Sequence, residues 1–230
     1  MAIRIQMKLN DKLYLRDPQD TKLGRNIIRY GILLIDEIGF EAFTFKKLAE
    51  RIGSTEASVY RYFENKHLLL VYLLCWYWEW TKFLLDFNTN NIADPCKKLR
   101  IAIATIVNTA RRNATIDFVD EDILHRVVVA EGDKGYHSKS VDKENQDGFF
   151  STYKSLAGQI STIIAEIDPA FAYPRALAST LLEMAKDHTY FAEHLPKLTD
   201  VKVENGELHE IEELLVNFAF GLLKPQELQK

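Results

Sequence analysis

The 230-residue chain contains few cysteines, glycines and prolines, and each shortage excludes a class of protein. Its two cysteines, Cys75 and Cys96, cannot form a disulfide framework or a four-ligand zinc site, so we expect a reducing compartment. Ten glycines and six prolines exclude a collagen-like or low-complexity chain. Because 47% of the residues are hydrophobic, the sequence predicts a globular protein with a sizeable core.

Long apolar segments are also absent. The longest uninterrupted apolar run, residues 68–78, stops at Glu79 and falls short of the roughly 20 residues that span a bilayer. The N-terminus has no apolar stretch of signal-peptide length. We therefore expect a cytoplasmic protein without a membrane partner.

Basic residues are fewer than acidic residues in the whole chain, but they are in excess in its first third. The whole chain has 29 Lys and Arg against 33 Asp and Glu, a net charge of -4. Residues 1–70 carry 12 basic and 9 acidic side chains, whereas the rest has a net charge of -7. A polyanion would therefore meet the N-terminal third more favourably than the remainder.

Apolar residues recur at helical spacing throughout, and no convincing alternating strand pattern appears. Gly39 and Gly53 are placed to end the first two helices. The polar stretch 132–145 is interpreted as a loop. The fold is predicted to be all-α, with helices at about 22–38, 45–52, 56–63, 66–86, 94–113, 119–131, 146–166, 173–194 and 207–223.

The first three helices are joined by turns that contain glycine, and the second and third are about eight residues long. This is the pattern of a helix-turn-helix, whose second helix enters the DNA major groove. From Ile38 the chain reads IGFEAFTFKKLAERIGSTEASVYRYFENKHLLL. It resembles the DNA-binding domain of the tetracycline-repressor (TetR) family over residues 27–70, in Gly39-Phe40, Thr44, Lys47-Leu48-Ala49, Gly53, Val59-Tyr60, Tyr62-Phe63 and Asn65-Lys66.

The resemblance implies a transcriptional regulator, usually a repressor, that binds a palindromic operator in double-stranded DNA as a homodimer. It also implies that a small molecule, here expected to be hydrophobic, binds the C-terminal domain and changes the spacing of the two DNA-binding heads. No cofactor is expected. The predicted parts are an N-terminal extension, 1–21, a helix-turn-helix domain, 22–67, and a helical regulatory and dimerisation domain, 68–230.

Four residues are predicted to hold DNA phosphates. The resemblance gives this role to Tyr60 and Lys66, and a phenolic donor and an ammonium group suit it. Thr44 and Thr55 are placed to add contacts from the N-termini of their helices. Such contacts position a protein on DNA without reading its sequence.

Base reading is predicted for exposed residues of the second and third helices. Arg61 suits either a guanine or a phosphate, and this choice stays open. Glu56 suits cytosine, but it also complements the helix dipole, and many relatives carry a basic or neutral residue there. The predicted base-reading residues are Lys46, Glu56, Ser58 and Arg61.

The N-terminal extension mixes basic residues with Asp11, Asp17 and Asp20. Basic arms in other proteins enter the DNA minor groove. The acidic residues favour a loosely packed tail or an extra short helix over such an arm. The basic residues of the extension are Arg4, Lys8, Lys12 and Arg16.

The helix that follows the DNA-binding motif is dense in large aromatic residues. Aromatic rings form good walls for a hydrophobic ligand, although the same residues also make ordinary core. Histidines and tyrosines further along the chain are candidates for polar lining. The candidate effector pocket is Trp76, Tyr77, Trp80, Phe83, His125, Tyr153, His188 and Tyr190.

The two C-terminal helices present apolar stripes at 3, 4 spacing. Paired with the same helices of a second copy, they would form an isologous four-helix interface. Burial within one chain is the alternative. The candidate interface residues are Leu177, Leu181, Met184, Phe191, Leu208, Ile211, Leu215, Phe218 and Leu222.

Enzymatic function is not expected. Acids and imidazoles cluster at residues 183–194, but the pattern of a di-metal bundle, a Glu-x-x-His pair from each of two helices, is missing. No nucleophile elbow, metalloprotease motif or phosphate loop is present. Two rivals remain: a protein of the same fold without an effector, which a filled core behind Trp76 and Trp80 would favour, and a helical-bundle metalloenzyme.

Overall fold

The computed structural model describes residues 6–109, 118–203 and 206–224. These residues form α-helices and short 3-10 helices without a strand, so the predicted all-α class is confirmed. The 3-10 helices are Asp11–Leu13, Pro18–Asp20 and Pro196–Leu198. The α-helices are α1 Lys22–Ala42, α2 Phe45–Arg51, α3 Glu56–Tyr60, α4 Lys66–Thr89, α5 Pro95–Val107, α6 Glu121–Glu131, α7 Asp133–Tyr136, α8 Val141–Gln146, α9 Ser151–Ile167, α10 Pro174–His194 and α11 His209–Leu222.

The loop prediction for 132–145 was wrong, because this stretch holds the short helices α7 and α8. Glu144, one of its polar residues, is buried, and its carboxylate lies at hydrogen-bond distance, 2.8 Å, from His67 Nε2. The helix predicted from 146 begins five residues later, since Gly148 (φ +85°) breaks the chain between α8 and α9. The predicted helix end at 113 lies outside the described residues.

The chain forms two compact units. The first unit contains Met1–Trp80 and Ala110–Thr152, and the second contains Thr81–Thr109 and Tyr153–Lys230. Helix α4 passes from the first unit into the second.

Helix α1 is the centre of the first unit. Thr21 caps it by accepting a hydrogen bond from the Gly24 amide at 2.9 Å, and Ile27, Ile28 and Ile35 are fully or almost fully buried. It packs against α6, against α2 and against the 3-10 turn Pro18–Asp20. This packing holds α2 and α3 on a rigid base.

Helix α4 is long and largely apolar. By length and composition it is the one helix among the described residues that is apolar enough to cross a membrane, and 72% of its apolar window is buried inside the protein. Burial of this kind is what a core helix shows.

The second unit is built on α5, α10 and α11, which pack against one another. Leu99, Leu181 and Leu215 are fully buried among them. This unit therefore has a core of its own.

Residues 6–21 of the N-terminal extension pack within the first unit. Leu13 is fully buried, and the Gln19 side chain pairs with the Met7 backbone, accepting from its amide at 3.1 Å and donating to its carbonyl at 2.7 Å. Of the two predicted alternatives, a loosely packed tail and an extra short helix, residues 6–20 show the second, as two short 3-10 helices. Arg4 lies outside the described residues.

The close approach of Pro18 to Gly24 gives a test of this packing. A methyl group on Gly24 would lie 2.3 Å from the Pro18 carbonyl oxygen, so we expect Gly24→Ala to lower the free energy of unfolding by roughly 1–3 kcal/mol in urea titrations. Gly158 in α9 faces open space, so Gly158→Ala is the matched control and should raise that free energy by about 0.5–1 kcal/mol. Equal effects of the two substitutions would contradict the packing.

Candidate nucleic-acid interface

Helices α2 and α3 pack against each other around a short turn. Thr44 caps α2 by accepting a hydrogen bond from the Lys47 amide at 3.2 Å, and Leu48 and Val59 are fully buried. Gly53 occupies the turn with φ +63°, a conformation that favours glycine. Tight inner packing with one open face is the geometry of a helix-turn-helix.

The open face carries most of the predicted DNA-contacting residues. Tyr60 is 46% exposed and its ring meets Phe45 edge-on at 5.0 Å, so the buried partner fixes the direction of the ring. Glu56 lies in the first turn of α3, where a carboxylate complements the helix dipole. The exposed residues are Thr44, Lys46, Thr55, Glu56, Tyr60 and Arg61.

Ser58 differs from its neighbours because it is only 8% exposed. Its hydroxyl lies 2.9 Å from that of Thr55 and accepts a hydrogen bond from the Arg61 guanidinium at 3.1 Å. Ser58 is thereby placed to orient Arg61. Base reading by Ser58 itself stays a prediction.

The Lys66 ammonium group lies against the turn formed by residues 39–43, where Gly39 (φ +73°) interrupts α1 near its C-terminal end. It donates hydrogen bonds to the carbonyl oxygens of Phe40, Glu41 and Phe43 at 2.9, 3.1 and 3.2 Å, and it sits 4.7 Å from the Phe40 ring centroid. Three donors thus meet three carbonyls that the end of a helix leaves without partners. The predicted phosphate contact of Lys66 stays a prediction, and this turn is where its ammonium lies.

The opposite side of the same turn is held by α6. Glu131 accepts a hydrogen bond from the Phe40 amide at 2.9 Å, and Lys134 lies near Glu131 and near Glu41. Further along, Arg126 forms a bidentate pair with Asp36 of α1 at 3.0 and 2.8 Å. Sequence reasoning missed this role of Glu131, because no local pattern links it to a turn 91 residues earlier.

This buried three-helix base with one open, partly basic face is a helix-turn-helix domain. A family model of the bacterial regulatory proteins of the TetR family matches residues 27–73. The helix-turn-helix domain of this chain is thus a TetR-type domain, and the match does not extend over the rest of the chain.

Similarity in sequence is limited to a short part of the chain. The tetracycline repressor protein class A from transposon 1721 of Escherichia coli is 43% identical over 51 residues, which cover 22% of this chain and 24% of that protein. The chain thus matches about a quarter of the length of this curated relative.

Solved structures match the fold over most of the chain. AibR, solved in complex with isovaleryl coenzyme A and operator DNA, has a TM-score of 0.58 at 15% identity, covering 84% of this chain and 97% of its own. The superantigen PfiT has a TM-score of 0.57 at 16% identity, covering 91% and 99%. At these identities, the likeness establishes the all-α fold with its helical C-terminal region.

Four of the predicted effector residues lie in the first unit. The Trp76 and Trp80 rings are stacked with their centroids 6.2 Å apart, and both are buried. The Tyr77 hydroxyl is hydrogen-bonded to His125 Nδ1 at 2.9 Å. Among the described residues, Trp76 Nε1 and His125 Nε2 are buried and have no hydrogen-bond partner.

The other four predicted effector residues lie in the second unit. His188 Nδ1 is 2.8 Å from the Thr199 hydroxyl, and the Tyr153 hydroxyl donates to Glu183. The Tyr190 ring lies 4.6 Å from that of His194, and Phe83 is 45% exposed. Their common role as a pocket stays a prediction.

The candidate interface residues divide by exposure. Four of them, Leu177, Leu181, Ile211 and Leu215, are buried in the core of the second unit. Met184, Phe191 and Leu208 are half-buried, whereas Phe218 and Leu222 of α11 are 48% and 57% exposed. Among these candidate interface residues, the two exposed ones thus lie in the last part of α11.

The Lys66 contacts predict a stabilising role. Lys66→Met keeps the aliphatic stem and removes three charged donors, so we expect the free energy of unfolding to fall by about 1–3 kcal/mol. Urea titration of the full-length chain measures this. Lys46→Met, on the exposed face of α2, is the control and should change little; an equal loss in both variants would contradict the role.

His125 predicts a dependence of stability on pH. Burial lowers the pKa of His125 to about 4, below the ordinary histidine value near 6.5. Between these values the unfolded chain binds a proton that the folded chain does not, so stability falls as the pH drops from 6.5 to 4, by up to about 3 kcal/mol.

His125→Gln should flatten the stability curve between pH 4 and 6.5, as followed by urea titration at each pH. The exposed His209 provides the control, and His209→Gln should leave the slope of that curve unchanged. An unaltered slope in His125→Gln would show that this histidine titrates normally.

Proposed function

We propose that this protein is a cytoplasmic transcriptional repressor that binds a palindromic operator as a homodimer and releases it when a small molecule binds. One observation carries the proposal: the exposed polar residues of the head lie on α2 and α3, around a fully packed inner face. The family match to residues 27–73 supports it. The AibR structure contains both operator DNA and an acyl coenzyme A, which supports a regulator with both partners.

Phosphate contacts would anchor the head on DNA. Tyr60 offers a hydroxyl whose ring direction is fixed by Phe45, and Thr44 and Thr55 stand at the N-termini of α2 and α3. Backbone amides and helix dipoles at these ends favour an anion. These groups position α3 without selecting a sequence.

Base reading would fall to Arg61, Lys46 and Glu56. The Arg61 guanidinium donates a hydrogen bond to the Ser58 hydroxyl at 3.1 Å. This contact restrains the arginine side chain, so less conformational entropy is lost when its two N–H donors bind a guanine. A bidentate contact of this type discriminates against the wrong base by roughly 1–3 kcal/mol.

The effector would bind beside Trp76 and His125. Buried polar groups in native proteins nearly always have partners, so an indole N–H and an imidazole nitrogen without partners mark a place where a ligand gains hydrogen bonds. The surrounding aromatic residues suit an apolar molecule that carries one or two polar groups.

Dimerisation would use the exposed end of α11. Phe218 and Leu222 lie one helical turn apart, and exposed apolar side chains of this size favour association with a second copy. Two copies related by a twofold axis would present their heads to two half-sites about 34 Å apart or a multiple of that distance.

A second candidate function is a DNA-binding protein of the same fold without an effector. The stacked, buried Trp76 and Trp80 rings favour it, because such packing is also what an ordinary core shows. The similarity in fold to the superantigen PfiT supports it too, because a fold of this kind does not by itself specify an effector.

Selection of genomic fragments by the purified chain at physiological salt, followed by sequencing, tests the proposal. We expect a short palindrome to be enriched. Arg61→Ala should relax the preference at one position per half-site at a cost of about 1–3 kcal/mol.

Tyr60→Phe is the matched comparison, because it removes one hydroxyl from the same helix. It should weaken binding alike for all sequences, by about 1 kcal/mol. An unchanged preference in Arg61→Ala would assign Arg61 to a phosphate, and the absence of any enriched sequence with the wild-type chain would contradict the DNA-binding proposal.

A further inference from the structure

The N-terminal extension is joined to the end of the recognition helix. The Leu15 amide donates a hydrogen bond to the Tyr62 carbonyl at 2.8 Å, and the Thr21 hydroxyl lies 2.7 Å from the Tyr62 hydroxyl. Tyr62 follows Arg61 directly and Tyr60 by two residues. The extension therefore ends beside the residues that face DNA.

Arg16 stands at this junction. Its guanidinium lies 5.7 Å from the centroid of the Tyr62 ring, and its side chain is exposed. Among the described residues it has no carboxylate within ion-pair distance, whereas Lys12 of the same segment pairs with Asp147 at 2.6 Å. Arg16 is thus a cation next to the recognition helix that an anion could approach.

The backbone that carries Arg16 is fixed on both sides. Leu13 is fully buried before it, and after it Arg25 donates a hydrogen bond to the Gln19 carbonyl at 2.7 Å. A guanidinium held over an aromatic ring on such a backbone loses less entropy when it binds an anion than a free arm would.

We propose that Arg16 binds a DNA phosphate beside the one held by Tyr60, so that the N-terminal extension is part of the DNA interface. The inference depends on the proposed DNA-binding function. It assigns Arg16 to the sugar-phosphate backbone and not to base reading, because a planar cation presented at the edge of the recognition helix meets a phosphate oxygen with a bidentate fork.

The test compares Arg16→Ala with Lys8→Ala in the full-length chain, using the operator that the wild-type chain selects. Lys8 is an exposed cation of the same segment, so both variants lose one positive charge. Affinity is measured from 50 to 200 mM salt, together with the urea midpoint of each variant.

We expect Arg16→Ala to weaken binding about three- to tenfold for operator and unrelated DNA alike, and to reduce the salt slope by about one unit. Arg16→Lys should restore most of the salt slope. Lys8→Ala should change both quantities little, and the urea midpoint of Arg16→Ala should match that of the wild type.

Three results would overturn the inference: an unchanged slope in Arg16→Ala, an equal loss in Lys8→Ala, which is a general charge effect, or a lowered urea midpoint without a slope change, which is a structural role. In each case the wild-type chain still selects an operator. Failure of the wild-type chain to select any sequence instead contradicts the proposed function.

Discussion

The turn of residues 39–43, at the C-terminal end of α1, is the constraint on which the DNA-binding head depends. Gly39 enters it with φ +73°, and the chain leaves it at Thr44, the cap of α2. The Lys66 ammonium group donates to backbone carbonyls of this turn, and the Glu131 carboxylate accepts from the Phe40 amide. The backbone acceptors thus meet a positive charge and the backbone donor meets a negative one. Because Lys66 begins α4 and Glu131 ends α6, the direction of α2 is set by two helices far apart in sequence.

In this arrangement, all the hydrogen-bond donors of the Lys66 ammonium group have acceptors within the protein. An ammonium group has three donors, and the turn supplies three carbonyl acceptors within 3.2 Å. A phosphate at Lys66 would have to replace one of these bonds or receive a weaker shared one. The hydroxyls of Thr44 and Thr55 are also engaged, since Thr44 accepts from the Lys47 amide and the Thr55 hydroxyl lies 2.9 Å from that of Ser58. Each of these hydroxyls keeps a donor or acceptor site for a phosphate, so the exchange that Lys66 requires is larger.

The sequence predicted those features that are set by neighbouring residues. The Thr44 cap, the Gly53 turn and the helical stripes depend on spacing within about four residues, and they are present. Pairings over long separations left no such signal: Glu131 with the Phe40 amide, or the Leu15 amide with the Tyr62 carbonyl. The loop prediction for the polar stretch 132–145 was wrong for the same reason. Its helices are stabilised by partners such as His67 that lie elsewhere in the chain.

Helix α6 links the proposed effector site to the DNA-binding head, because it carries both His125, beside the proposed effector site, and Glu131, which contacts the turn of the head. Allosteric coupling is typically about 1–3 kcal/mol, so one good contact is enough to carry it. The Arg126–Asp36 pair is bidentate but solvent-exposed at its arginine, and exposed ion pairs typically contribute about 1 kcal/mol or less. The Glu131 bond to the Phe40 amide involves a carboxylate and is partly buried, which places it nearer 1.5–3 kcal/mol. The Glu131 contact is therefore the one whose loss or gain matches the free energy that an effector beside His125 would have to transmit.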